Sequence, residues 1–81
     1  MFSEWFDTLL SEKGIDLEEG FTVNSRNGTA NHMTYGVVAE RIKTTNSYEQ
    51  QQIKNALVLI DFCAGDVRHY LRHLAQAIAI D

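Results

Sequence analysis

Residues 47–80, which read SYEQQQIKNALVLIDFCAGDVRHYLRHLAQAIAI, decide the fold. Within them, residues 56–64 place apolar side chains on every side of a helical wheel except at Asp61. We therefore expect this segment to leave no solvent face and to lie at the centre of the fold. A buried strand over residues 56–62 is the alternative, because a short segment rich in Val, Ile and Phe fits both structures.

The residues on either side of this segment favour a helix. Asn46 and Ser47 are candidate N-caps, and good helix formers follow them with no Gly or Pro before Gly65. We predict one helix over residues 47–64, with Gly65 ending it in the left-handed conformation. Asp66 is then the N-cap of a second helix, and the very short turn between the two requires them to pack against each other as the core of the domain.

The N-terminal segment predicts another amphipathic helix. Ser3 is its candidate N-cap, and Gly14 is its expected end, followed by a contact between Ile15 and Leu10. We expect its apolar stripe to pack against the helix over residues 47–64. The residues of this stripe recur at helical intervals and are Phe2, Trp5, Phe6, Leu9 and Leu10.

A β-hairpin is predicted between these helices. The dipeptide Asn27-Gly28 lies between two alternating segments, which is typical of a hairpin turn. The first strand begins at Phe21, and the second is predicted over residues 33–42. Gly36 inside the second strand marks a bend or a close approach of the backbone.

The apolar residues of the two strands also predict their pairing. A two-residue loop would place these residues on opposite faces of the hairpin. We therefore expect a three-residue turn with Gly28 in the left-handed conformation, which pairs Val23 with Met33 and Phe21 with Tyr35.

These elements predict a single α+β domain over residues 1–81, in the order helix, β-hairpin and two C-terminal helices (αββαα). The composition is 44 % hydrophobic and 22 % charged, which is typical of a folded domain. A domain of this size buries only about 60–65 % of its unfolded surface. The apolar content therefore favours a homodimer or another protein partner.

The composition also suggests a location. The sole cysteine, Cys63, cannot form an internal disulfide, and residues 1–4 lack a signal-peptide pattern. The longest uninterrupted apolar segment, residues 56–60, is far shorter than a membrane span. We expect a cytoplasmic protein with no membrane association.

The sequence gives little support for catalysis or for a bound cofactor. Cys63 lies in an apolar helical context, and no nucleophile elbow or glycine-rich phosphate loop occurs. His69 and His73 are spaced to share a metal ion, but Arg68 and Arg72 oppose a cation there. We expect no catalytic, cofactor or metal site and no enzymatic activity.

The favoured function is a non-catalytic protein–protein interaction module. By analogy of size and character, it would be a small inhibitor or modulator of a larger intracellular complex, of the kind encoded on phages and plasmids. The partner would contact charged residues of the acidic N-terminal helix, the hairpin tip and the last helix. The candidates are Glu4, Asp7, Arg26, Arg68, His69, Arg72 and His73.

Nucleic acid is the second candidate partner. Two helices joined by a glycine-containing turn, the second with Arg68 and Arg72, suggest a helix-turn-helix whose last helix reads DNA. Asp61 stands where the first helix of that motif needs a small apolar residue. A net charge of −4 and a pI near 5.2 also oppose contacts to phosphate.

Overall fold

The computed structural model describes residues 1–80, with side chains described through residue 78. Within that range the chain forms four helices and one antiparallel pair of strands, so the predicted α+β class and the order helix, hairpin, helices are confirmed. The second of the four helices was not predicted. The elements are α1 (Phe2–Glu12), β1 (Gly20–Asn24), β2 (Ala30–Thr34), α2 (Tyr35–Lys43), α3 (Ser47–Phe62) and α4 (Val67–Ile80).

A single hydrophobic cluster joins the four helices and β1. Helix α1 contacts α3 as predicted, and α4 packs against α2, α3 and β1. The largest fully buried side chains each contribute about 1.5–3 kcal/mol by leaving water. The core is therefore distributed over the whole chain rather than confined to α3 and α4. Its largest members are Tyr35, Phe6, Ile42, Leu57, Leu71 and Val38.

The two ends of α1 differ in how they agree with the prediction. Gly14 has a φ of +66°, and the N–H of Ile15 donates to the carbonyl of Leu10 at 3.0 Å, as in a Schellman motif. Ile15 also packs against the core, so the predicted end is confirmed. The predicted cap at Ser3 is wrong, because the helix begins at Phe2 and no side chain among the described residues caps it.

The hairpin turn has the predicted form but a different strand register. The N–H of Ser25 donates to the carbonyl of Thr29 at 2.9 Å, which leaves a three-residue turn containing Gly28 at φ +84°. Phe21 pairs with Met33 rather than with Tyr35, so the predicted pairing is displaced by two residues. The closing Ser25–Thr29 pair sets this register.

The second strand ends at Thr34, eight residues before the predicted end, because the chain continues as α2. The Oγ1 atom of Thr34 accepts a hydrogen bond from the N–H of Val37 at 3.2 Å and caps the helix. The sequence of residues 35–42 is compatible with both a strand and a helix. The helix forms because the apolar residues at helical spacing are the ones that pack into the core. The buried residues of α2 are Tyr35, Val38, Ala39 and Ile42.

The start of α2 is bonded directly to the connection between α1 and β1. The N–H of Tyr35 donates to the carbonyl of Glu19 at 3.2 Å, and the N–H of Gly36 donates to the carbonyl of Leu17 at 2.8 Å. A Cβ atom on Gly36 would lie 3.0 Å from that Leu17 oxygen. The predicted close approach at Gly36 is therefore present, but in a helix rather than in a strand.

Helix α3 begins at the predicted cap and ends differently. Asn46 accepts a hydrogen bond from the N–H of Glu49 at 2.8 Å. At the other end Ala64, not Gly65, is left-handed, with a φ of +57°, and the N–H of Gly65 donates to the carbonyl of Ile60 at 2.7 Å. Gly65 instead permits a close approach, because a Cβ atom there would lie 2.9 Å from Ile60 Cγ2.

Asp66 caps α4 as predicted. Its Oδ1 atom accepts a hydrogen bond from the N–H of Arg68 at 2.9 Å. This bond lowers the pKa of the Asp66 carboxyl, and the nearby Arg68 guanidinium acts in the same direction. The carboxylate therefore remains ionised at the positive end of the helix dipole.

Candidate functional site

An uncharged surface runs the length of α3 on the side opposite the core. Seven exposed residues at helical spacing form this surface, which we call the outer face of α3. Its most exposed apolar members are Phe62 at 87 %, Tyr48 at 70 %, Leu59 at 62 % and Val58 at 51 %. The remaining members are Gln51, Gln52 and Asn55.

This surface corrects the expectation that residues 56–64 are buried on every side. Leu57 is fully buried and Ile60 is partly buried, but Leu59 and Phe62 point away from the core. The solvent side of a helix normally carries charged residues. A continuous uncharged stripe with exposed aliphatic and aromatic side chains is typical of a protein interface.

A second surface lies between β1 and α4. It is a groove of about 490 Å³, which we call the β1–α4 groove. None of its lining residues carries a carboxylate, and three of the four from α4 carry cationic or imidazole groups. The lining residues are Phe21, Thr22, Val23, His69, Arg72, His73 and Gln76.

Arg72 is positioned by two aromatic rings and one carboxylate. Its guanidinium carbon lies 5.8 Å from the ring centre of Phe21 and 5.7 Å from that of Tyr35, within the range of a cation–π contact. Its Nη2 atom lies 3.7 Å from the carboxylate of Glu19. Burial raises the pKa of the Tyr35 hydroxyl, so the ring beneath Arg72 stays neutral.

Gln76 closes one end of the groove. Its side-chain oxygen accepts a hydrogen bond from the N–H of Asn24 at 3.2 Å, and its side-chain nitrogen donates to the Asn24 carbonyl. The amide group therefore bonds to the backbone of β1 in the way that a neighbouring strand would.

The predicted partner-binding residues do not form one site. His69, Arg72 and His73 line the β1–α4 groove. Four others lie elsewhere, and two of these pair with neighbouring charges: Arg68 lies 3.5 Å from Asp66, and Asp7 lies 2.5 Å from Lys43. The Glu4 side chain and Arg26 at the hairpin tip are exposed. That these residues contact a partner stays a prediction.

The Asp7–Lys43 pair connects α1 to α2. Its hydrogen bond raises the pKa of the Lys43 ammonium, partly opposed by burial. Lys43 also lies 3.6 Å from Glu40. Asp7 is thus part of the contact between two helices.

Several members of these surfaces could not be singled out from sequence alone. Thr22 and Gln76 show no motif, and their relation appears only when α4 packs on β1. The sequence does contain a signal for the outer face of α3. Positions 48, 55, 59 and 62 recur at helical spacing and all carry uncharged residues, namely Tyr48, Asn55, Leu59 and Phe62. The all-round apolar pattern of residues 56–64 concealed which side would be exposed.

Metal binding and membrane crossing find no support in the described part of the chain. Among residues 1–80, no group of three or more His, Cys, Asp or Glu side chains is placed to hold a metal ion. None of the helices in this range combines the length and apolar character needed to cross a membrane.

Comparison of the chain with protein-family models, with curated proteins and with solved structures finds no match.

Proposed function

We propose that this protein is a non-catalytic protein–protein interaction module that acts as a homodimer through the outer face of α3. The observation that carries the proposal is the 87 % exposure of Phe62 in an uncharged stripe with Leu59 and Val58. Aromatic residues are enriched at the centres of interfaces, whereas charged residues are depleted there. Covering these side chains removes apolar surface from water and favours association.

The spacing of the stripe supports pairing with a second copy. Tyr48 and Phe62 each lie seven residues from Asn55. Two antiparallel α3 helices related by a twofold axis near Asn55 would place Tyr48 of one copy beside Phe62 of the other. An uncharged surface can meet itself in this way without opposing like charges.

The area available is sufficient for a modest dimer. With Phe62 87 % and Tyr48 70 % exposed, these two side chains would bury roughly 300 Å² per copy, since an aromatic side chain contributes about 150–250 Å². Leu59, Val58 and the polar residues between them bring the total for two copies to the order of 1,000 Å², which is at the low end for specific interfaces.

Charge favours a protein partner over DNA. Arg68 lies beside Asp66, and Arg72 lies beside Glu19 while stacking over Phe21. The net charge of −4 repels phosphate over the rest of the surface.

The test is the molar mass in solution at tens of micromolar, measured by light scattering. We expect a mass of twice 9.2 kDa for the unmodified protein. Leu59→Lys combined with Phe62→Lys should give a folded monomer, because both side chains point to solvent. Val37→Lys on α2 is the matched control, since Val37 is also an exposed aliphatic residue at 43 %, and it should remain dimeric.

Two results would overturn the proposal. One is a monomeric mass for the unmodified protein over this concentration range. The other is binding to duplex DNA that weakens steeply with salt and is lost in Arg68→Ala combined with Arg72→Ala, which would favour the DNA-reading alternative.

A further inference from the structure

The outward edge of β1 carries backbone groups that face the β1–α4 groove. In a strand, residues two apart direct their N–H and C=O groups to the same side. Asn24 directs both groups away from β2 and toward Gln76. Thr22, two residues earlier, therefore presents its N–H and C=O to the groove. Among the described residues, the N–H and C=O groups of Thr22 form no hydrogen bond with any residue outside the hairpin.

Gln76 indicates what this edge can bind. Its amide bonds to Asn24 with one donor and one acceptor, as a residue of an added strand would. The next such position along the edge is Thr22, and the one after it is Gly20. A short extended segment could continue this pattern from Gln76 toward the start of β1.

The α4 residues that line the groove indicate which side chains the segment would carry. In an added strand, alternate side chains would point toward α4. There they would meet the imidazoles of His69 and His73 and the guanidinium of Arg72, all of which can donate hydrogen bonds to a carboxylate. Arg72 lies 3.7 Å from Glu19, beyond hydrogen-bonding distance, so its N–H groups can still donate to a second carboxylate. The Phe21 ring and the stem of Thr22 offer apolar contact between these donors.

We propose that the β1–α4 groove binds an extended acidic segment of a partner protein by strand addition to the outward edge of β1. The backbone of the segment bonds to Thr22, and its carboxylates lie against Arg72, His69 and His73. This site is separate from the outer face of α3. A protein that proved monomeric could still bind the segment, so the two proposals can fail independently.

The test uses a fluorescein-labelled nonapeptide in which Glu alternates with Val and Thr, with binding followed by fluorescence anisotropy. Thr22→Pro removes the outward N–H, and a proline is compatible with a strand edge whose N–H is not used in the ladder. We expect Thr22→Pro to weaken binding by about tenfold, which corresponds to the loss of one or two hydrogen bonds. Thr22→Val, which keeps the backbone donor, should change binding less than twofold.

Two further probes leave the protein unmodified. A nonapeptide with Lys in place of Glu should bind at least tenfold more weakly, because Arg72 would repel it. A Glu nonapeptide N-methylated at alternate backbone nitrogens cannot donate to the Thr22 carbonyl and should also lose binding. This probe preserves the test if Thr22→Pro does not fold.

Several outcomes would overturn the proposal. These are no binding of the Glu nonapeptide at millimolar concentration, equal binding of the N-methylated nonapeptide, and equal binding of the Lys nonapeptide. Concentration-dependent assembly abolished by Thr22→Pro would instead identify a second copy of this chain as the occupant.

Discussion

Replacing Ala64 with glycine should stabilise the protein. Ala64 has a φ of +57° at the end of α3, and this left-handed conformation costs a residue with a Cβ atom about 1–2 kcal/mol. Glycine removes that cost but loses about 0.5–1 kcal/mol more backbone entropy on folding. The Ala64 side chain is exposed, so little burial is lost. The net expectation is a gain of roughly 0.5–1 kcal/mol.

Thermal unfolding followed by circular dichroism measures this gain. For a domain of this size 1 kcal/mol shifts Tm by about 4–8 °C, so Ala64→Gly should raise Tm by roughly 2–8 °C. Gly14→Ala is the matched control. Gly14 occupies the same position at the end of α1, with a φ of +66°, and a Cβ atom added there would have no atom of the described residues within 4 Å. This variant should lower the stability by about 1 kcal/mol.

Gly65→Ala tests the steric effect of an added Cβ atom separately from the left-handed backbone conformation of Ala64. Gly65 lacks the left-handed φ, but a Cβ atom there would lie 2.9 Å from Ile60 Cγ2, so this variant should be destabilised by a steric clash. If Ala64→Gly lowers Tm, Ala64 carries no left-handed strain that glycine can relieve, and the reasoning is refuted.

Two further predictions concern buried or paired polar groups. The Tyr35 hydroxyl is buried and makes no hydrogen bond within the described part of the chain, although Arg72 and Glu19 lie close enough to act on its pKa. Tyr35→Phe should therefore stabilise the protein by about 1 kcal/mol in urea unfolding; a loss of stability would show that the hydroxyl is bonded to one of these two groups. A double-mutant cycle of Asp7→Asn and Lys43→Met should give a coupling of about 0.5 kcal/mol at neutral pH. Because the folded pKa of Lys43 is raised above 10.5, this coupling should be fully present below pH 10.5 and lost as the pH rises through the folded pKa; an undiminished coupling above that pKa would contradict the assignment.

Local signals predicted the elements that local chemistry determines. The end of α1 at Gly14 and the left-handed Gly28 depend on residues within one turn of the chain, and both are confirmed. Residues 35–42 could not be assigned in the same way, because Tyr35, Val37 and Ala39 alternate while Tyr35, Val38, Ala39 and Ile42 share a helical face. Packing against α4 and the cap at Thr34 decide between the two structures.

The candidate surfaces also combine features that local sequence predicts with features that depend on packing between distant elements. The helical spacing of His69, Arg72 and His73 placed them together on one helix from sequence alone. Their position opposite Thr22 depends on the packing of α4 against β1, across about fifty residues of chain. No short-range pattern encodes this pairing.

The two backbone hydrogen bonds that join residues 17–19 to the start of α2 make this connection sensitive to length rather than to composition. Both bonds use main-chain carbonyls, of Glu19 and Leu17, so they persist whatever side chains those positions carry. An inserted or deleted residue would shift the carbonyls out of register with Tyr35 and Gly36. Related chains should therefore keep the same number of residues here even where the residue types differ.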